Sequence, residues 1–123
     1  MKKILSITLS LLMVLTSISF TSTVFATNIP STTITSVKSQ SKAFTVKWKK
    51  KSGITGYQIQ YSTNKKFKKG NKTITVKSAK STSATIKKLK SKKKYYVRMR
   101  TYKIVNGKKV YSAWSKAKSV KVK

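Results

Sequence analysis

The sequence predicts an all-β fold, a sandwich of seven short strands in one domain. Three observations lead there. Beyond residue 31, apolar and polar residues alternate with a period of two in short runs, as strands do when one face meets a core. Turn signals punctuate the runs about every 8–12 residues, the spacing of a sandwich. No stretch after residue 26 carries apolar residues at helical spacing, and no internal repeat is present.

Thr33 to Val37 forms a first, weak strand. Lys42 to Lys49 is clearer, with Phe44, Val46 and Trp48 on one face and Thr45, Lys47 and Lys49 on the other. Lys50-Lys51-Ser52-Gly53 is a loop. Gly56 to Ser62 turns Tyr57, Ile59 and Tyr61 inward and Gln58 and Gln60 outward. A polar, lysine-rich connection from Thr63 ends in Gly70-Asn71. Thr73 to Lys77 places Ile74 and Val76 together, and Ser83 to Lys87 places Ala84 and Ile86 inward, with Leu89 just beyond. Lys94 to Lys103 is the strongest strand. Tyr95, Val97, Met99 and Thr101 share one face, and Tyr96, Arg98, Arg100 and Tyr102 the other. Asn106-Gly107 suits a two-residue hairpin turn, which needs two residues tolerant of positive φ. A last strand runs from about Lys109 to Lys123.

These residues resemble a fibronectin type III domain, an immunoglobulin-like β-sandwich, over roughly Thr32 to Lys123. Trp48 matches the family's core tryptophan on the second strand, and Gly56-Tyr57-Gln58-Ile59-Gln60-Tyr61 matches the third strand. Leu89 followed by Tyr95, Val97 and Arg98 matches the signature leading into the sixth strand. The resemblance implies that Tyr95 is the corner tyrosine, whose hydroxyl bonds back to the upstream backbone. Tyr111-Ser112-Ala113-Trp114-Ser115 is similar to the aromatic-Ser-x-Trp-Ser motif of cytokine-receptor fibronectin domains. That likeness implies that Trp114 stacks on Arg98, Arg100 or both, the two arginines of the sequence. The family often carries a proline soon after its leucine, where Lys90-Ser91 stands here, and no Arg-Gly-Asp occurs.

Met1–Ala26 reads as a secretory signal. Lys2 and Lys3 precede an apolar run, and Val24-x-Ala26 supplies small residues for cleavage. The run is short and hydroxyl-rich for a membrane span, and an uncleaved anchor is the alternative. The expected organisation is a signal at 1–26, a linker at 27–31 and the domain at 32–123, exported from a Gram-positive-like cell. No membrane span is expected after cleavage.

Charge sets the function classes. The chain has 30 Lys and Arg and no Asp, Glu or His. It also has no cysteine. The usual general bases, thiol nucleophiles and side-chain metal ligands are therefore missing, and no cofactor, metal or small-molecule substrate is expected. A Ser–Lys dyad needs a buried lysine, and every lysine here lies on a polar face or in a loop, so the reading is not an enzyme. Asn71-Lys72-Thr73 forms a glycosylation sequon, which export from such a cell leaves without consequence. Tyr96 and Tyr102, facing outward, are the stacking candidates; the inward Phe44, Trp48, Tyr57, Tyr61 and Tyr95 are core.

Two basic loops remain. One holds Lys65, Lys66, Lys68 and Lys69, and the other holds Lys87, Lys88, Lys90, Lys92, Lys93 and Lys94. The resembled topology puts both loops at one pole. Clustered ammonium groups act as point charges for phosphate or sulfate. The expected partner is an anionic cell-wall polymer, such as a teichoic acid, or another extracellular polyanion. The alternative is a structural or adhesive spacer whose charge serves retention and solubility.

Overall fold

The structure, a computed structural model, describes residues 29–123. The expected signal at 1–26 lies outside the described residues. Strands β1 (Ile34–Gln40), β2 (Ala43–Trp48) and β5 (Ser83–Ile86) form one sheet in the order β1-β2-β5. Strands β3 (Gly56–Ser62), β4 (Lys72–Val76), β6 (Lys94–Val105) and β7 (Lys108–Tyr111) form the second in the order β4-β3-β6-β7. Strand β8 (Lys118–Lys121) also pairs with β6. All pairings are antiparallel.

The alternation in the sequence decides which faces meet. Phe44, Val46 and Trp48 of β2 lie under Tyr57 and Ile59 of β3 and Val97 and Met99 of β6, all buried. Trp48 and Tyr57 hold their ring centroids 5.2 Å apart. The Tyr57 hydroxyl accepts from the Lys51 amide at 2.9 Å and donates to the Ala79 carbonyl at 2.9 Å. One core side chain thereby ties two loops together and keeps its own polar atom satisfied. Tyr95 acts in the same way at the other end, where its hydroxyl accepts from the Lys90 amide at 3.0 Å. Leu89 is buried beside it.

The last strand departs from the single run expected over Lys109 to Lys123. It is divided into β7 and β8 with Ser112–Ala117 between them, so eight segments stand where seven were expected. Serine chemistry explains the break. The Ser112 amide donates to the Thr101 carbonyl at 3.0 Å, while the Thr101 amide donates to Ser112 Oγ at 3.0 Å. Ser115 repeats the exchange with Met99, amide to carbonyl at 2.8 Å and Oγ from the amide at 3.0 Å. A hydroxyl thus takes the place of the carbonyl that a regular strand would present, and β6 keeps its partners through a non-strand segment.

Two boundaries also extend beyond the sequence reading. Strand β1 continues past Val37 to Gln40 because it stays in register with β2, Val37 opposite Val46 and Gln40 opposite Ala43. Strand β6 continues past Lys103 to Val105 because Asn106 and Gly107, at φ 52° and 77°, close a tight hairpin with β7. Of the expected linker 27–31, residues 29–31 are described. Ile29 is buried, and the Pro30 carbonyl accepts from Thr101 Oγ1 at 2.6 Å, so the lead-in is packed onto the second sheet. Among the described residues no helix is long and apolar enough to cross a membrane.

Candidate functional site

The fold treats the two kinds of cation differently. The described residues hold 26 lysines; Lys51 is half-buried and the others are exposed. None has a carboxylate side chain to pair with, because the sequence has none. A hydrated ammonium on a four-carbon stem costs least when its head stays in water.

At one pole the β3–β4 and β5–β6 connections face each other across a cleft of about 430 Å³. Tyr61, Thr63, Gly70 and Lys72 line one side. Lys88, Lys90 and Lys93 line the other, above Leu89 and Tyr95. Of the ten lysines singled out in the sequence, the cleft gathers Lys88, Lys90 and Lys93. Lys72, on β4, joins them although sequence reasoning did not select it. Lys87 and Lys92 stand exposed on the same loop, with Lys92 turned at φ 61° and its amide bonded to the Val122 carbonyl at 2.8 Å. Lys94 leaves the cleft, its ammonium 5.5 Å from the centre of the Tyr96 ring.

Lys65, Lys66, Lys68 and Lys69 project from an ordered loop. Asn64 Oδ1 accepts from the Lys66 amide at 2.8 Å, Ser62 Oγ donates to the Lys69 carbonyl at 3.0 Å, and Asn71 Nδ2 donates to the Phe67 carbonyl at 2.7 Å. Phe67 sits in the left-handed region at φ 54°, a conformation that costs a phenylalanine on the order of 1 kcal/mol. Burial of its ring offsets that cost.

The ring closes a ladder on the outer face of the second sheet. Phe67, Arg98, Trp114, Arg100 and Tyr111 alternate aromatic and guanidinium. Arg98 Cζ lies 4.3 Å from the Phe67 ring and 4.4 Å from Trp114. Arg100 Cζ lies 4.2 Å from Trp114 and 3.7 Å from Tyr111. Each Nε donates to a glutamine on β3, Arg98 to Gln60 at 2.8 Å and Arg100 to Gln58 at 2.9 Å. A planar guanidinium can be held this way on both faces and one edge; an ammonium cannot. Burial pushes both arginines below their ordinary value, and for Arg100 the neighbouring Arg98 charge adds to that while Tyr111 opposes it.

Two expectations change here, and one residue enters that the sequence did not single out. Gln58 faces outward as read, yet the ladder covers it and it is buried. Tyr102 is also buried, lying over Gly56, where a Cβ would press on its ring. That leaves Tyr96, half-buried, as the outward ring of the pair. Phe67 escaped notice because a lone aromatic among lysines carries no periodicity. An apolar residue inside a run of charge was the available signal.

A family model of the fibronectin type III domain matches residues 28–118. Among solved structures, the fibronectin type III domain of human contactin 1 superposes with a TM-score of 0.65 at 17% identity, covering 77% of this chain and 78% of that one. The FN1–FN3 segment of chicken CNTN1 gives 0.62 at 22% identity, with 75% of this chain and 29% of that one covered. A domain of human collagen alpha-1(XX) gives 0.59 at 17%, covering 76% and 84%. No curated protein sequence matches the chain. These likenesses speak for the fold alone.

Proposed function

The chain belongs to the fibronectin type III family, and we propose that this member is a secreted, non-enzymatic module that binds extracellular polyanions. The partner class is a phosphate- or sulfate-bearing polymer, such as the teichoic acid-like polymers of a cell wall. One observation supports the reading: Lys88, Lys90 and Lys93 of the β5–β6 connection and Lys72 of β4 line one cleft, and the sequence holds no acidic side chain to neutralise them. Such a surface repels itself, and a polyanion relieves the repulsion while releasing its own counterions. The arginines, better suited to bidentate phosphate contact, have both faces covered in the ladder, so binding falls to the lysines.

A spacer role on the cell surface is the second reading. It is compatible with membership of the fibronectin type III family. Equilibrium binding to purified teichoic acid and to heparin at about 0.15 M salt separates the two. The binding module retains both ligands, with log affinity falling linearly against log salt. A spacer retains neither.

A further inference from the structure

We propose that the cleft between the β3–β4 and β5–β6 connections is a subsite for one repeat unit of the polymer: a polyol or sugar carrying a tetrahedral oxyanion, phosphate or sulfate. The proposal rests on the polyanion reading and narrows it from a charged surface to a pocket.

The cleft offers many donors and few free acceptors. Lys72, Lys88, Lys90 and Lys93 line its walls, each a side chain with three N–H donors. The Tyr95 hydroxyl already accepts from the Lys90 amide at 3.0 Å, and its proton meets no acceptor among the described residues. The Tyr61 hydroxyl has no hydrogen-bond partner among them either. Tyrosine is protonated in neutral water, so this hydroxyl is a donor, and desolvation by burial, with Tyr95 adding to it, raises Tyr61 further from its ordinary value. Six donor groups line one cavity. A carboxylate presents two oxygens in one plane; a phosphate or sulfate group is tetrahedral, with two non-bridging oxygens in a diester link and three in a monoester, so it can meet donors arriving from several directions.

The size fits a unit larger than an isolated ion. About 430 Å³ falls in the range of small-molecule sites, roughly 300–1,000 Å³. The Tyr61 ring supplies an apolar wall, fixed edge-on against Phe44 and Tyr95 with centroids 6.1 and 6.3 Å away.

The lysine-bearing loop is also held in place before any ligand arrives. The Leu89 amide donates to the Lys42 carbonyl at 3.0 Å, and the Val122 amide donates to the Lys93 carbonyl at 2.9 Å. Lys88 adopts φ 60°, a turn that glycine or asparagine would make at lower cost. A pre-ordered loop loses little freedom on binding.

Nuclear magnetic resonance titration tests the subsite with glycerol 1-phosphate, N-acetylglucosamine 6-sulfate and uncharged glycerol as probes. Either charged probe should shift the signals of Tyr61, Lys72, Lys88, Lys90 and Lys93 saturably, and glycerol should not. Response to the phosphate alone or the sulfate alone identifies the source of the oxyanion. Tyr61→Phe, which keeps the ring, should weaken binding several-fold with an unchanged unfolding midpoint. The triple replacement Lys88→Gln, Lys90→Gln and Lys93→Gln should weaken it more than tenfold. Shifts spread over lysines of the whole surface, or variants that bind like the parent protein, would overturn the subsite. Heparin binding that survives in those variants would leave the broader polyanion reading standing, whereas an unmodified protein that binds no polymer would remove that reading itself.

Discussion

The arginine–aromatic ladder and the lysine-rich pole are both built from cations, and the fold uses them in opposite ways. In the ladder, Arg98 and Arg100 are part of the packing, stacked on three rings and bonded to two glutamines. At the pole, Lys88, Lys90 and Lys93 are exposed and line a cleft. The difference lies in hydration. A delocalised guanidinium gives up water for an aromatic face, while a compact ammonium holds its water until an anion replaces it. In this chain without acidic side chains, arginine is therefore used in packing, while the lysines stay hydrated and, on the proposed reading, meet the anion.

The sharpest way to break that division is at the centre of the ladder. Trp114→Ala removes the ring shared by both guanidinium groups and should cost about 2–3 kcal/mol in denaturant unfolding, less than a fully buried tryptophan because Trp114 is half-exposed. Polyanion affinity measured well below the unfolding midpoint should change less than twofold. A large affinity loss would mean that the arginines bind ligand.

Phe67→Ala touches both regions. It should cost about 2 kcal/mol for the buried ring. It should also weaken polymer binding, although no charge is removed, because Lys65, Lys66, Lys68 and Lys69 lose the anchor of their loop. Unchanged affinity would show that those lysines act as diffuse charge.

Arg100→Lys keeps the charge and loses the plane. A stability loss of about 1 kcal/mol is expected from the two stacking contacts and the Gln58 bond. Equal stability would mean that charge alone holds the ladder.

The sequence lets the two regions be read to different depths. The ladder was half legible: Trp114, Arg98 and Arg100 lay in a motif, and alternation placed the arginines outward. Gln58, Gln60 and Phe67 were not, because their roles depend on strand register and on a loop that folds back over the sheet. The core around Trp48, Tyr57 and Tyr95 followed from period-two alternation, since burial on one face is what that pattern encodes. The split of the last strand did not, because its serine hydroxyls imitate backbone acceptors and leave no hydropathy signal. At the pole the run of lysines was visible, but the cleft was not. Tyr61 reads as core, and Lys72 becomes a neighbour of Lys88 and Lys93 only when two sheets close over each other.

The smallest expected effect is that of pH. Side chains that ordinarily titrate between about pH 5 and 9 are absent, so unfolding stability should be flat across that window. Above about pH 10 the sign is set at Tyr61 by its raised folded value. That contribution is fully present below the unfolded tyrosine range and is lost as pH rises through the folded value. Replacing Tyr61 with phenylalanine should remove this part of the alkaline loss, measured as the difference between the two stability curves. A sloping curve between pH 5 and 9 in the parent protein would contradict the expectation.

Position against net charge is the decisive contrast, and the salt dependence of heparin and teichoic acid binding measures it. Three variants each exchange four lysines for glutamine: Lys65, Lys66, Lys68 and Lys69; Lys72, Lys88, Lys90 and Lys93; and Lys49, Lys50, Lys51 and Lys108. The slope of log affinity against log salt reports how many phosphate or sulfate groups the protein neutralises. The first two sets should flatten the slope by several units, on the order of one for each anionic group no longer neutralised. The third, from loops at the opposite pole, should leave it close to that of the parent protein. Equal flattening by all three sets would show that the charge is diffuse and that the lysine-rich pole is not a binding site.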